Sequence, residues 1–362
     1  MTTTKSAEAP PPGGGASGPV NRMAALGVLN PQSWLTRGPR RNAADRAGRR
    51  SVLDRFLELG IYVALVVLAV YFWQASPYFL SQRNLLNIAA AVAVTGVLAA
   101  GMTTALIAGQ LDLTVGANVG LVSVVIAIAS ESWGLPTLWA VLLGLATGAI
   151  IGLVNSFLIV KVRINSIIAT LAFGIVLRGL ALIFTDGQVV PLLNPALQDF
   201  VSHRLLGVPV SVLILLIIYV LGWGMLGFTR AGWNVYGVGG NASAALRAGI
   251  KVNRVYLSVF VLTGILAAVG GIITAGNAGS GGPNYANGAE FDVLTAVLLG
   301  GIGLGGGSGR IQRTLAGVLV IGVLNNGLTL LSVNTYYQQL ARGAVFVLAV
   351  VLAAIAERRR AR

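Results

Sequence analysis

The chain has 362 residues, of which 56% are hydrophobic and only 10% are charged, and its mean hydropathy is +0.81. An ordinary soluble domain carries about 25% charged residues. The composition therefore excludes a soluble globular protein and predicts an all-α, polytopic membrane protein. The net charge is +14, and the absence of cysteine excludes disulfides and thiolate metal sites.

Residues 1–58 differ from the rest of the chain in composition. They begin with a Pro/Gly-rich stretch, lack the features of a signal peptide, and carry nine Lys and Arg residues. We expect a disordered, basic cytoplasmic tail, with an interfacial helix over Arg40–Arg55 on anionic lipid as the alternative. A second basic segment, 357–362, is expected to be the cytoplasmic C-terminus. Because both segments flank apolar spans, they predict membrane topology and contact with lipid rather than a nucleic-acid partner.

Ten apolar segments follow the tail and predict about ten transmembrane helices. They cover 59–76, 85–108, 113–130, 138–160, 165–185, 210–228, 255–276, 290–304, 314–332 and 338–356. An even number of crossings places both termini on the same side of the membrane. Together, 59–356 would form the transmembrane domain, with a cytoplasmic loop at 229–254.

The charges between these segments favour one orientation. The loops expected in the cytoplasm hold Lys161, Arg163, Arg230, Arg247, Lys251, Arg254, Arg310 and Arg313. Only Arg83 and Arg342 oppose the trend, which otherwise follows the positive-inside rule. The eighth segment is short and Gly-rich, so a half-helix or a re-entrant segment is an alternative there.

A short internal repeat links the fourth and ninth segments. Gly152-Leu-Val-Asn155 in the fourth matches Gly322-Val-Leu-Asn325 in the ninth, five segments later. Five is an odd number, so the repeat predicts two inverted five-helix halves, an arrangement common in transporters. Chance is the alternative explanation for so short a match.

Few ionisable residues interrupt the apolar segments, whereas neutral polar residues are more plentiful. The ionisable ones, Asp112, Arg178, Glu290 and Asp292, fall mostly near segment ends, and the single histidine, His203, lies in a predicted outer loop. This pattern disfavours a proton-driven carrier, which needs a buried acid or histidine relay. The amides of Asn118, Asn155 and Asn325 are candidates for lining a solute path, and interhelical hydrogen bonding is their alternative role.

Motifs for catalysis or nucleotide binding are missing from the sequence. No stretch fits the P-loop, no Cys/His cluster suggests a metal, and the GxGxxG match at Gly301–Gly306 lacks the acidic residue that a dinucleotide site needs about 20 positions later. We therefore predict that the chain is not an enzyme and binds neither cofactor nor metal. Transport would be passive or driven by a partner.

The stretch VYGVGGNASAALRAGI at Val235–Ile250 predicts a short helix outside the lipid. Asn241 suits an N-cap, Ala242–Arg247 favours a helix, and Gly249 suits a left-handed C-terminal turn. Small residues would let this helix enter a groove on another protein, with Arg247 as a charged anchor. A capped surface loop is the alternative.

This stretch resembles the cytoplasmic coupling region of ribose-type sugar permeases of bacterial ABC importers, with Ala248 where the family has Ser. Further resemblances occur in order over about 85–360. They are GQLDLTVGANVGL at 109–121, INSIIATLAFGIVLRGLAL at 164–182, LTAVLLGGIGLGGGSG at 294–309 and AGVLVIGVLNNGLTLL at 316–331. Gln110 and Leu111 replace the Gly and Ile of the family pattern.

The resemblance implies a permease of the bacterial inner membrane that acts as a homodimer. An ATP-binding cassette ATPase would take the coupling helix and use ATP, and an extracytoplasmic sugar-binding protein would deliver a sugar or polyol. The implied coupling site comprises Gly240, Asn241, Ala244, Arg247 and Gly249. Asp112 would cap the third span or pair with an arginine. A branched-chain amino acid or nucleoside permease and an autonomous facilitator are the alternatives.

Overall fold

The computed structural model describes residues 52–360, and the part from Glu58 onward forms one compact unit. The expected tail lies outside the described residues, apart from its last few positions, which begin the first helix. Two pairs of two-residue strands are the extended elements within the described range. β1 (Val190–Pro191) pairs antiparallel with β4 (Ser280–Gly281), and β2 (Arg204–Leu205) pairs antiparallel with β3 (Val208–Pro209).

Thirteen α-helices make up the rest of the described architecture. They are α1 (Val52–Ala75), α2 (Gln82–Ile107), α3 (Val115–Glu131), α4 (Thr137–Ser156), α5 (Ser166–Thr185), α6 (Ala196–Ser202), α7 (Val210–Phe228), α8 (Arg230–Gly240), α9 (Ala242–Arg247), α10 (Val252–Ala278), α11 (Ala289–Leu299), α12 (Ile311–Leu330) and α13 (Thr335–Arg360). A π-helical turn, Phe157–Lys161, continues α4.

The helices confirm the predicted class of an all-α, polytopic membrane protein. Seven described helices are long and apolar enough to cross a membrane, and 60–75 and α3 are shorter apolar helices. The eighth predicted segment differs most, because α11 has only 11 residues and the chain leaves the helix after Leu299. At 1.5 Å per residue, α11 spans about 16 Å, roughly half of a 30 Å hydrocarbon core.

Helix α10 lies at the centre of the packing, against α2, α3 and α4. Its contact with α4 depends on small residues. A Cβ atom at Gly148 would overlap the Gly264 carbonyl oxygen of α10, and one at Gly152 would overlap the Phe260 carbonyl oxygen. Glycines spaced by four residues thus let the two backbones approach closely, as is common in membrane helix pairs.

The packing of the helices supports the predicted two halves. Helix α3 packs on α4 and α5, and α11, five segments later, packs on α12 and α13. Helix α4 packs on α10, and its counterpart α12 packs on α2. The repeated glycines lie at these equivalent contacts, since Gly152 faces α10 and Gly322 faces Val92 of α2. The inverted orientation of the halves remains a prediction.

Candidate functional site

The predicted short helix forms as α9, and its ends follow the local signals in the sequence. The Asn241 side-chain oxygen accepts a hydrogen bond from the Ala244 amide at 2.9 Å, which caps the first turn. Gly249 has φ +85°, the left-handed conformation that ends the helix without a side-chain penalty. Ala245 is buried and holds α9 against the rest of the protein.

The opposite face of α9 is open to solvent. Ser243, Ala244 and Arg247 are exposed, and Leu246 is 63% exposed. Leu246 therefore lies on the same exposed face as Ala244 and Arg247 and would be part of any surface there that a partner covers. The sequence interpretation named Ala244 and Arg247 but missed Leu246, because the leucine was counted only as a helix former.

Three glycine-rich segments meet directly before α9. We call this contact the glycine junction and define it as Gly109, Gly239–Gly240 and Gly306–Gly307. The Gly307 amide donates a hydrogen bond to the Ile107 carbonyl at the end of α2 (2.8 Å). A Cβ atom at Gly239 would overlap that same carbonyl oxygen, and one at Gly306 would lie 2.8 Å from the Gly109 Cα. The junction therefore joins α8, the end of α2 and the loop after α11, backbone to backbone.

Tyr236 adds a side-chain link at the same place. Its hydroxyl donates a hydrogen bond to the Gly309 carbonyl at 2.9 Å. Burial raises the pKa of the Tyr236 phenol, and the nearby Arg310 opposes part of that shift. The phenol therefore stays protonated near neutral pH and remains a donor to the loop after α11.

Asp112 is fully buried in a polar network that joins three helices. Its Oδ1 accepts from the Thr114 amide (3.0 Å), the Thr114 hydroxyl (2.5 Å) and the Asn155 amide (3.4 Å). Its Oδ2 accepts from the Thr263 hydroxyl of α10 at 2.7 Å. The bonds to Thr114 place Asp112 at the start of α3, and the partners of its carboxylate in the described structure are hydroxyl and amide groups rather than an arginine.

The three asparagines predicted to line a path lie in two regions, since Asn118 and Asn155 both bond to Thr114 at the start of α3 and Asn325 is on α12. Asn155 belongs to the Asp112 network, and its Nδ2 also donates to the Thr114 hydroxyl at 2.9 Å. Asn118 is fully buried on α3 and donates to the Gly264 carbonyl of α10 at 3.1 Å. Asn325 lies half-buried on α12, in the other half of the repeat. The buried contacts of Asn118 and Asn155 favour interhelical hydrogen bonding as their role.

A charged cluster surrounds the start of α11, and the sequence interpretation did not assemble it. Arg178 Nη2 of α5 contacts Glu290 Oε1 at 2.6 Å, and Arg342 Nη1 of α13 contacts Asp292 Oδ2 at 3.5 Å. Arg342, which departs from the positive-inside trend, thus has an acidic partner on another helix. Acidic residues in the first turn also suit the positive end of the α11 dipole.

Among residues 52–360, no group of three or more His, Cys, Asp or Glu side chains could hold a metal ion. The contacts observed in the polar clusters are hydrogen bonds and ion pairs. Such groups can order helices or contact a passing polar solute.

The sequence is similar to bacterial permeases over most of its length. It is 40% identical over 297 residues to the ribose import permease protein RbsC of Bacillus subtilis, covering 82% of this chain and 92% of the relative. It is 38% identical over 316 residues to RbsC of Escherichia coli K12, covering 84% and 97%. The L-arabinose ABC transporter permease protein AraH of Azospirillum brasilense is 36% identical over 299 residues, covering 81% and 86%.

No solved structure matches the chain. The profile of the family described as "Branched-chain amino acid transport system / permease component" matches residues 84–350. That range contains α3 to α12 and most of α2 and α13. The chain therefore belongs to this family of transport permeases.

Proposed function

We propose that this chain is the membrane-spanning permease subunit of an ABC importer and translocates a sugar or a sugar-like polyol. The similarity to ribose and arabinose permeases over more than 80% of the chain carries the proposal. The family description also names branched-chain amino acid transport. The similarity to sugar permeases favours the sugar over that alternative.

The proposal includes a source of energy outside the chain. The sequence contains no nucleotide-binding motif, so an ATP-binding cassette ATPase would bind and hydrolyse ATP. An extracytoplasmic binding protein would deliver the solute, and a second permease copy would complete the channel. Both termini would lie in the cytoplasm, and the protein would reside in the bacterial inner membrane.

The exposed face of α9 is proposed to enter a groove of the ATPase. Asn241 and Gly249 fix the ends of the helix, and Ala244, Leu246 and Arg247 present its surface. Gly240 connects this helix to the glycine junction. A movement of α9 would therefore be transmitted to the end of α2 and to the loop after α11. The transmission would occur through backbone contacts, which deform less easily than contacts between side chains.

Combined substitution of Ala244→Trp and Arg247→Glu tests the coupling role. We expect ATP-driven uptake into proteoliposomes to fall at least about tenfold, since a bulky ring and a reversed charge oppose docking in a groove. The measurement uses the permease with its ATPase and binding protein, and co-purification reports whether the ATPase still binds.

Ala244→Ser with Arg247→Lys is the matched control, because it changes the same two exposed positions but keeps a small residue and a positive charge. This variant should transport normally. Unchanged uptake by the Ala244→Trp/Arg247→Glu protein would contradict the coupling role. If leucine inhibits the uptake of the importer's solute and no sugar does, the substrate would be an amino acid instead of the proposed sugar.

A further inference from the structure

The charged cluster at the start of α11 is partly exposed at membrane depth. The side chains of Arg178 and Arg342 are 37% and 34% exposed, and Asp292 is 27% exposed. Arg178 lies seven residues before the end of α5, and Arg342 lies seven residues after the start of α13. Each arginine is therefore about 10 Å inside its helix end.

This position is unfavourable for contact with lipid tails. Charged side chains within membrane proteins face the interior of the bundle or a water-filled cavity, because charge in hydrocarbon costs several kcal/mol. Each guanidinium carries five N–H donors, and the ion pair with its acid occupies one nitrogen of each. The buried Arg342 Nε has no partner among the described residues. The exposed donors thus require water or a polar solute.

An aromatic ring is exposed on the same surface as the charged cluster. Phe291 is 44% exposed and lies between Glu290 and Asp292 in the chain, whereas Val293–Leu298 of α11 are buried. Its ring packs beside Phe346 of α13, with 5.8 Å between ring centroids. A sugar presents hydroxyl groups at its rim and C–H groups on its faces. Paired guanidinium and carboxylate groups beside an exposed ring suit both parts.

The charges of the cluster also suit a neutral solute. Arg178 is neutralised by Glu290 and Arg342 by Asp292, so the surface offers hydrogen bonds without a net field that would select an ion. The Glu290 carboxylate packs against Gly116 in the first turn of α3. A Cβ atom at Gly116 would overlap this carboxylate. The start of α11 is thereby fixed between α3, α5 and α13.

We propose that Arg178, Phe291, Asp292 and Arg342 line the outer half of a water-filled translocation path and contact the hydroxyl groups and C–H faces of a passing sugar. The choice of a sugar as solute rests on the proposed function; the water-filled path does not. Asn118 and Asn155, which are buried between helices, lie away from this surface.

The test uses single cysteines, which the native sequence permits because it contains none. Phe291→Cys is compared with Leu216→Cys, which is 47% exposed and lies six residues, about 9 Å, inside the start of α7. Phe291 and Leu216 match in exposure, Leu216 lies about as far inside its helix end as Arg178 and Arg342 do, and only Phe291 lies beside the charged cluster. A charged, membrane-impermeant methanethiosulfonate reagent is applied from outside to membranes holding the whole importer.

We expect Phe291→Cys to react at least about tenfold faster than Leu216→Cys, since only an aqueous site forms the reactive thiolate. Equal, slow labelling of the two would overturn the proposal. So would a Phe291→Cys disulfide between two copies without labelling, because a subunit contact would then cover the surface. Ala289→Cys, a smaller change in the same turn, serves as the second position if Phe291→Cys does not insert.

Uptake after labelling tests the contact with the solute. Modified Phe291→Cys should lose most uptake of whichever sugar the importer carries, and modified Leu216→Cys should keep it. Unchanged uptake by the fully modified Phe291→Cys protein would exclude these residues from the path. The labelling rates are measured without a sugar. They therefore test the water-filled path independently of the proposed sugar import.

Discussion

Asp112 shows how a single residue can organise the interior of this protein. Its carboxylate accepts from Thr114, which immediately precedes α3, from Asn155 of α4 and from Thr263 of α10. A buried charge is tolerated only when it is hydrogen-bonded, and these donors come from three helices that cross at one point. We infer that Asp112 specifies how those helices meet.

Asp112→Ala should destabilise the protein more than Asp112→Asn. Alanine leaves the Thr114 amide and hydroxyl without an acceptor, at about 1–3 kcal/mol for each buried group, whereas Asn155 keeps its bond to the Thr114 hydroxyl and Thr263 its bond to the Phe260 carbonyl. Asparagine keeps one acceptor oxygen for Thr114, and the Thr263 hydroxyl can accept from the new amide. Thermal unfolding of the two variants in detergent measures the difference, and an Asp112→Ala melting temperature at or above that of Asp112→Asn would contradict this role.

At the scale of elements, the half-length α11 and the short α9 both depart from a simple bundle of crossing helices. The glycine junction connects them, because Gly306 and Gly307 follow α11 and Gly239 and Gly240 precede α9. Backbone contact of this kind is possible only where side chains are absent. The loop after α11 and the proposed coupling helix are therefore expected to move together.

Gly239→Ala and Gly240→Ala form a matched pair that tests this connection. A methyl group at Gly239 would overlap the Ile107 carbonyl oxygen, whereas one at Gly240 meets nothing within 4 Å. Overpacking costs about 1–3 kcal/mol and should separate α8 from the end of α2. We expect Gly239→Ala to retain bound ATPase but lose most ATP-driven uptake, with Gly240→Ala near normal.

Co-purification and uptake assays on the same preparations distinguish a loss of coupling from a loss of folding. If Gly239→Ala transports as well as Gly240→Ala, the junction does not carry the movement of α9.

For the whole molecule, the ten segments and their charges predict a defined orientation in the membrane. Leu206 is 98% exposed in the turn between β2 and β3, and Ala248 is exposed after α9. The positive-inside rule places these two positions on opposite sides. The glycine junction would accordingly lie on the cytoplasmic side, and the charged cluster would lie on the outer side.

Labelling of Leu206→Cys and Ala248→Cys with an impermeant thiol reagent tests the orientation. In intact cells Leu206→Cys should react and Ala248→Cys should not, and both should react after permeabilisation. The opposite pattern would reverse the predicted topology and place α9 outside the reach of a cytoplasmic ATPase.

Features that depend on neighbouring residues were predictable from the sequence. Asn241 and Gly249 cap α9 through contacts within a few residues, so the helix formed where the residue types predicted it. The class of polytopic membrane protein followed from composition, because apolar runs of this length have no other stable environment. Most helix bounds agree with the predicted segments to within a few residues for the same reason.

Tertiary structure alone decided which polar residues are buried together. Asn118, Asn155 and Asn325 look equivalent as amides in apolar segments, yet packing against α10 buries two of them and leaves the third half-exposed. Arg342 opposes the charge trend in the sequence, and its partner Asp292 lies 50 residues earlier on another helix. Hydropathy and short motifs report local preference, whereas burial, ion pairing and the glycine junction depend on which distant segments the fold brings into contact.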